Sequence, residues 1–146
     1  MSDVNIHVDT NEIDAFAATI EHHGSPEKFK PAVTKSTFNI ERQAKQNVTA
    51  NGSVKTGHLR RSIQGQVNGL TGTVHTSNLK YAPWVEKGTR PHTIRPKSKK
   101  FLYWRGASHP VKIVHHPGGA KKPYLIPAFE QEKPKFLQNL KDCIKW

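Results

Sequence analysis

The sequence predicts an α+β fold, an antiparallel β-sheet with two N-terminal helices and a C-terminal helix packed on it. Three observations carry this. Apolar residues recur at helical spacing early in the chain and again near its end. An Asn-Gly pair separates two strand-like runs in the middle. The helical segments therefore flank the strand-like ones, the grouping expected of an α+β protein. No internal repeat is visible.

Val4, Ile6 and Val8 alternate with polar residues, as a short half-buried strand requires. Thr10 or Asn11 then caps a helix bearing Ile13, Phe16, Ala17 and Ile20, and Gly24 ends it. Ser25-Pro26-Glu27 looks like a new helix start, but Pro31 would break a helix already under way. The spacing thus predicts a short turn over 25–30 and a long helix from about Pro31 to about Thr49. Val33, Thr37, Ile40, Ala44 and Val48 mark its buried face. Residues 51–57 are polar and glycine-bearing, hence a loop.

Strands over 62–67 and 72–76 follow, joined by a turn at Asn68-Gly69, where both residues tolerate positive φ. Residues 81–87 read as a short helix or turn ended by Gly88. Further strands are expected over 93–95, 101–104 and 111–114, separated by cationic or polar loops. Beyond Pro123, Leu125, Phe129, Phe136, Leu140 and Ile144 prescribe a helix, with Pro127 in its first turn. Pro134 lacks an N–H and collides with the preceding turn, so a kink or a break into two pieces is expected there.

The 146 residues fit one domain. Its parts are the strand and helices of 1–50, the sheet of 56–122 with a basic hairpin loop at 96–100, and the C-terminal helix of 123–146. Only 34% of residues are hydrophobic, which implies a thin core and stability drawn partly from copies of itself or a partner. Cys143 is the sole cysteine, which excludes an internal disulfide and a multi-thiolate zinc site and points to a reducing compartment. No apolar run approaches the roughly 20 residues that span a bilayer, and the first residues lack the pattern of a signal peptide. A soluble protein made in the cytoplasm and used or assembled there is expected, with no membrane partner. The sequons at Asn47 and Asn51 are then chance matches.

Charge is concentrated between Lys80 and Lys122, where eleven lysines and arginines face one acid, Glu86. That leaves a local +10 of the chain's formal +12. Such clustering marks a face that meets phosphate, an acidic partner or a charged lumen. His92, His109, His115 and His116 match no metal-ligand spacing, and the surrounding cations repel a metal ion. Cys143 has only Asp142 and lysines beside it, Glu86 has no second carboxylate, and Gly118-Gly119 lacks the ending of a phosphate loop. A catalytic role and a cofactor are therefore not expected. Nucleic-acid binding competes, because the cations can displace counterions while Tyr81, Trp84, Tyr103 and Trp104 stack on bases.

Four motifs follow in order: Thr56-Gly57-His58-Leu59-Arg60-Arg61-Ser62-Ile63, Tyr81-Ala82-Pro83-Trp84-Val85-Glu86-Lys87-Gly88-Thr89, His116-Pro117-Gly118, and Pro123-Tyr124-Leu125-Ile126-Pro127-Ala128. Their order resembles the tailed-bacteriophage family of neck or tail-completion proteins that act in head-tail joining. The resemblance covers roughly residues 56–129. It implies a structural virion protein rather than an enzyme, one forming a ring, a hexamer or dodecamer, between the head connector and the tail tube. Its implied partners are itself, the tail tube or tail terminator protein, head connector proteins, and DNA in the lumen. Tail terminator or head-closure protein is the neighbouring alternative, and a basic nucleic-acid-binding module the alternative of another class. The residues expected to contact partners or luminal DNA are Arg60, Arg61, Glu86, Arg90, Arg95, Lys97, Lys99, Lys100 and Arg105. Within the motifs, Leu59 and Ile63 are expected to face the core, Trp84 to pack on the sheet, and Glu86 to pair with Arg90 or with a cation of an adjacent subunit.

Overall fold

The computed structural model describes residues 25–54, 56–77 and 79–144. The strand expected at 4–8 and the helix expected at 11–24 lie outside the described residues. From Ser25 onward the elements follow the sequence closely. A 3₁₀ turn, Pro26–Phe29, leads into helix α1, Lys30–Ala50. Pro31 falls in the first turn of α1, where its missing N–H removes no helical bond. The buried face of α1 is Ala32, Val33, Ser36, Thr37, Ala44 and Val48. Thr37 Oγ1 donates to the Val33 carbonyl at 2.7 Å, so its buried hydroxyl is satisfied within the helix.

A left-handed Gly57 (φ 74°) starts the short helix α2, His58–Ser62. Its one buried residue, Leu59, and the following Ile63 enter the core, while Arg60 and Arg61 stay exposed, as expected. Strands β1, Ile63–Asn68, and β2, Thr71–Thr76, pair antiparallel from Ile63↔Thr76 to Asn68↔Thr71. Asn68 is thus the last paired residue, and the turn is Gly69-Leu70, one residue later than the Asn-Gly reading. Gly69 (φ 60°) supplies the positive φ at the first central position.

This ribbon lies directly on α1. A Cβ at Gly72 would overlap Thr37 Oγ1, and one at Gly65 would sit 3.0 Å from Glu41 Oε2. The Gly65 N–H donates to Glu41 at 2.9 Å, which anchors the strand to the helix. The Lys45 side chain bonded to Glu41 holds that carboxyl below its ordinary pKa, with the Gly65 N–H acting in the same direction against the effect of burial.

Helix α3, Ala82–Lys87, ends at Gly88. Strands β3, His92–Ile94, and β4, Val114–His116, form a second antiparallel pair. Among the described residues the sheet is therefore two separate two-stranded ribbons. The strands expected at 101–104 and 111–114 shrink to one bridge, Leu102↔Val111, plus β4 at the end of the second run.

Helix α4, Leu125–Ile144, runs unbroken through Pro134, where a kink or two pieces had been expected. Pro134 and Glu130, whose carbonyl loses its amide partner, are both exposed. Water can take the place of the missing donor, so the helix continues.

Among the described residues the core has two clusters. The larger joins Ala44, Val48, Leu59, Ile63, Ala82, Tyr124, Leu125 and Ala128 from α1, α2, β1, α3 and the start of α4. The smaller joins Phe29, Ala32 and Leu140, with Phe136, Cys143 and Ile144 packed beside them. Cys143 is thus packing material. Because the start of α1 meets the end of α4 and Asn47 Nδ2 reaches the Tyr124 carbonyl at 2.9 Å, the two helices are antiparallel. Between them the buried Glu132 accepts from Ser36 Oγ at 2.9 Å and Asn39 Nδ2 at 3.0 Å.

Tyr124 is among the most deeply buried large side chains. Burial, and secondarily the Glu86 carboxylate, push its hydroxyl up to about 12. A group raised in this way contributes stability that is whole below its unfolded value of 10.0 and is lost as pH rises through the folded value. Alkaline unfolding is therefore expected between these limits, and Tyr124→Phe should move the midpoint upward in a circular-dichroism pH titration. An unchanged midpoint would contradict it.

Candidate functional site

The motifs converge at the N-terminus of α4. Lys122, Pro123 and Tyr124 cannot supply the side-chain oxygen of an ordinary N-cap, so the first amides of the helix need an acceptor from elsewhere. Glu86 provides it. Its side chain, only 2% exposed, accepts from the Tyr124, Leu125 and Ile126 N–H groups at 2.8, 3.0 and 2.9 Å. The carboxylate also faces the positive end of the helix dipole. The pairing with Arg90 or a neighbouring subunit is thereby corrected. Glu86 leaves the surface set because it is buried and both its oxygens are taken up by backbone donors of α4 and the residue before it.

Directly beyond Glu86 the chain begins an arm. Thr89 and Gly119 exchange backbone hydrogen bonds of 3.0 and 3.1 Å, and the Gly119 N–H also donates to Thr89 Oγ1 at 2.7 Å. The Lys122 N–H donates to the Val85 carbonyl at 2.9 Å, closing the root against α3. Further out, β3 and β4 pair, and the rings of His92 and His116 stack with centroids 5.0 Å apart. His116 Nδ1 accepts from the Gly118 N–H at 3.0 Å, so that nitrogen is the unprotonated one.

The arm is asymmetric. Between the Ile94↔Val114 pair and the Leu102↔Val111 bridge, residues 95–101 on one side face only 112–113 on the other. Lys97, Lys99 and Lys100 lie in that excursion. The tip is instead 103–110, turned by an Ala107 N–H to Trp104 carbonyl bond of 3.0 Å. The lysine loop thus bulges from the flank of the hairpin, where a tip had been expected.

No residue from 87 to 123 is buried. Tyr103 is 69% and Trp104 49% exposed, and Ile94, Phe101 and Ile113 are exposed as well. Residues 90–113 carry seven lysines and arginines and no acid, and among the described residues none of these cations has an ion-pair partner. Lys112 lies 5.9 Å from the Phe101 ring centroid. Large apolar side chains are thus interleaved with cations on a two-stranded backbone that does not cover them.

The expected contact residues therefore divide three ways. Arg90, Arg95, Lys97, Lys99, Lys100 and Arg105 share the arm, and Glu86 is the buried cap. Arg60 and Arg61 line a separate open cleft of about 830 Å³ beside α1, shared with Phe38, Arg42 and Lys45. Trp84, expected to pack on the sheet, is 60% exposed, and Ala82 fills the core in its place. Among the described residues no three His, Cys, Asp or Glu come together as a metal-holding group, and no helix is long and apolar enough to cross a membrane.

A small α+β body thus presents a cationic, aromatic-bearing arm. Comparison with known families matched residues 13–88, just over half of the chain, to the HK97-gp10-like family, described as "Bacteriophage HK97-gp10, putative tail-component". The chain belongs to that family of phage tail components and is a structural phage protein. Comparison with curated proteins found no match, and comparison with solved structures found none. The matched span contains the first sequence motif and all of the second but Thr89; the other two lie beyond it, and the last is bonded to it through Glu86.

Proposed function

We propose that this chain is a ring-forming neck or tail-completion protein that joins the tail to the head connector. The observation that carries the reading is the arm, a run of 87–123 without one buried residue that exposes Phe101, Tyr103 and Trp104 among cations. Apolar surface of this kind is stabilised once a neighbouring protein covers it. A closed ring of heterologous contacts provides that cover for every copy. The whole chain acts as one domain, and Arg90, Arg95, Lys97, Lys99, Lys100 and Arg105 face adjacent virion proteins or DNA passing through the lumen. Arg60 and Arg61 form a second contact at the cleft beside α1.

A cryo-microscopy reconstruction of virions or reconstituted tails tests this. A ring at the head-tail junction is expected. A position closing the tail tube alone would favour a terminator, and absence from mature particles would overturn the structural role. A nucleic-acid-binding module would instead bind DNA with steep salt dependence and form no ring. Replacing both Tyr103 and Trp104 by serine should leave stability within about 0.5 kcal/mol, since neither lies in a core. In a complementation assay the same variant should lower infectious titre; normal titre would exclude the arm aromatics from assembly.

A further inference from the structure

Charge is divided along this chain in a way the motifs do not explain. Residues 1–24 contain Asp3, Asp9, Glu12, Asp14 and Glu21 and no lysine or arginine, whereas the arm has only cations. The other acids are mostly engaged. Glu41 is paired with Lys45, Glu86 and Glu132 are buried, and Asp142 accepts from Gln138 at 2.9 Å. That leaves Glu27 and Glu130 as isolated exposed carboxylates. The only concentrated acidic partner that a copy of this chain can offer the arm is therefore its first 24 residues. Their sequence also fits the arm's apolar side chains. Ile13, Phe16, Ala17 and Ile20 recur at helical spacing as one apolar stripe, with Glu12, Asp14 and Glu21 beside it.

The two complementary features leave the body at opposite ends. Ser25 leads into Phe29, which packs against Leu140 at the C-terminal end of α4. The arm is rooted at the N-terminal end of α4, through Glu86 and the Thr89–Gly119 pair. The 20 residues of α4 separate these points by about 30 Å. Complementary surfaces at opposite ends of one subunit form a head-to-tail contact, which closes into a ring when the rotation permits.

We propose that the acidic segment 1–24 of one copy docks on the arm of the next, carboxylates against Lys97, Lys99 and Lys100 and the apolar stripe against Tyr103 and Trp104. The proposal rests on the ring-forming reading and names the contact that closes it. The test combines charge reversal with isotope-mixed cross-linking of the full-length protein. The triple variants D9K/E12K/D14K and K97E/K99E/K100E should each weaken self-association about a hundredfold at moderate salt. Combining them in one chain should restore it to within about tenfold of the parent. A zero-length carbodiimide reagent applied to mixed heavy and light copies should join residues 1–24 of one isotope to Lys97–100 of the other.

Cross-links confined to single copies would overturn the proposal, as would triple variants that assemble like the parent. So would loss of DNA binding without loss of self-association in K97E/K99E/K100E, or a parent protein that is monomeric throughout. Rings seen in reconstructed tails despite any of these results would leave the ring reading intact and refute this contact alone.

Discussion

Glu86→Ala is expected to destabilise the protein by about 3–4 kcal/mol. The substitution leaves the Tyr124, Leu125 and Ile126 amides without their acceptor at a site where Glu86 and Tyr124 are nearly inaccessible to water. An ordinary N-cap loss costs about 1 kcal/mol because water replaces the side chain. Here water cannot enter freely, three donors are stranded together, and the lost acceptor is a carboxylate. Urea unfolding should show a lower midpoint with an unchanged slope. Glu86→Gln keeps the shape but turns an NH₂ group toward a backbone donor, so a loss of about 2 kcal/mol is expected. Hydrogen exchange at 124–126 should quicken in both variants before the rest of α4 is affected. Wild-type stability in Glu86→Ala would show that the cap is dispensable and that α4 is fixed by its apolar contacts alone.

Glu86 also shows where reading the sequence stopped. Local pattern was enough for α1, whose apolar spacing and Pro31 placed its start near Lys30, and for the ribbon to within one residue of turn register. These elements are specified by residues close to each other along the chain. The cap joins positions 38 residues apart, and an isolated acid in a basic run looks like any solvated charge. One signal was present: Lys122-Pro123-Tyr124 offers no capping side chain to an amphipathic helix, so an acceptor had to arrive from elsewhere. The arm was misread for the opposite reason. Phe101–Trp104 has the composition of a strand, but with no second layer to cover it only the Leu102↔Val111 bridge forms. Strand propensity reports fitness for a half-buried surface, and this segment has none within the chain. Of the expected contact residues, six share the arm, while Arg60 and Arg61 line a cleft beside α1 because α2 turns them toward it.

Gly118→Ala is expected to cost about 3 kcal/mol or more, and to act on assembly as well as on stability. Gly118 holds φ at 89°, which an L side chain adopts with strain, and its new Cβ would overlap the Thr89 carbonyl oxygen and lie 3.0 Å from backbone atoms of Arg90 and Pro91. Every atom it meets is backbone, so no side chain can swing aside. Relief requires the two strands of the arm root to separate, which breaks the Thr89–Gly119 hydrogen bonds and frees the arm from the body. Gly106 at the tip provides the control. Its φ of 101° is equally unusual, but a Cβ there meets nothing within 4 Å, so Gly106→Ala should cost only about 1–2 kcal/mol. If the arm works by pointing in a fixed direction from the Glu86-capped end of α4, Gly118→Ala should fail to join reconstituted tails at temperatures where it remains folded, and Gly106→Ala should join them. Equal joining by both variants would mean that the arm needs its side chains but not its orientation, and a partner would then be what orders it.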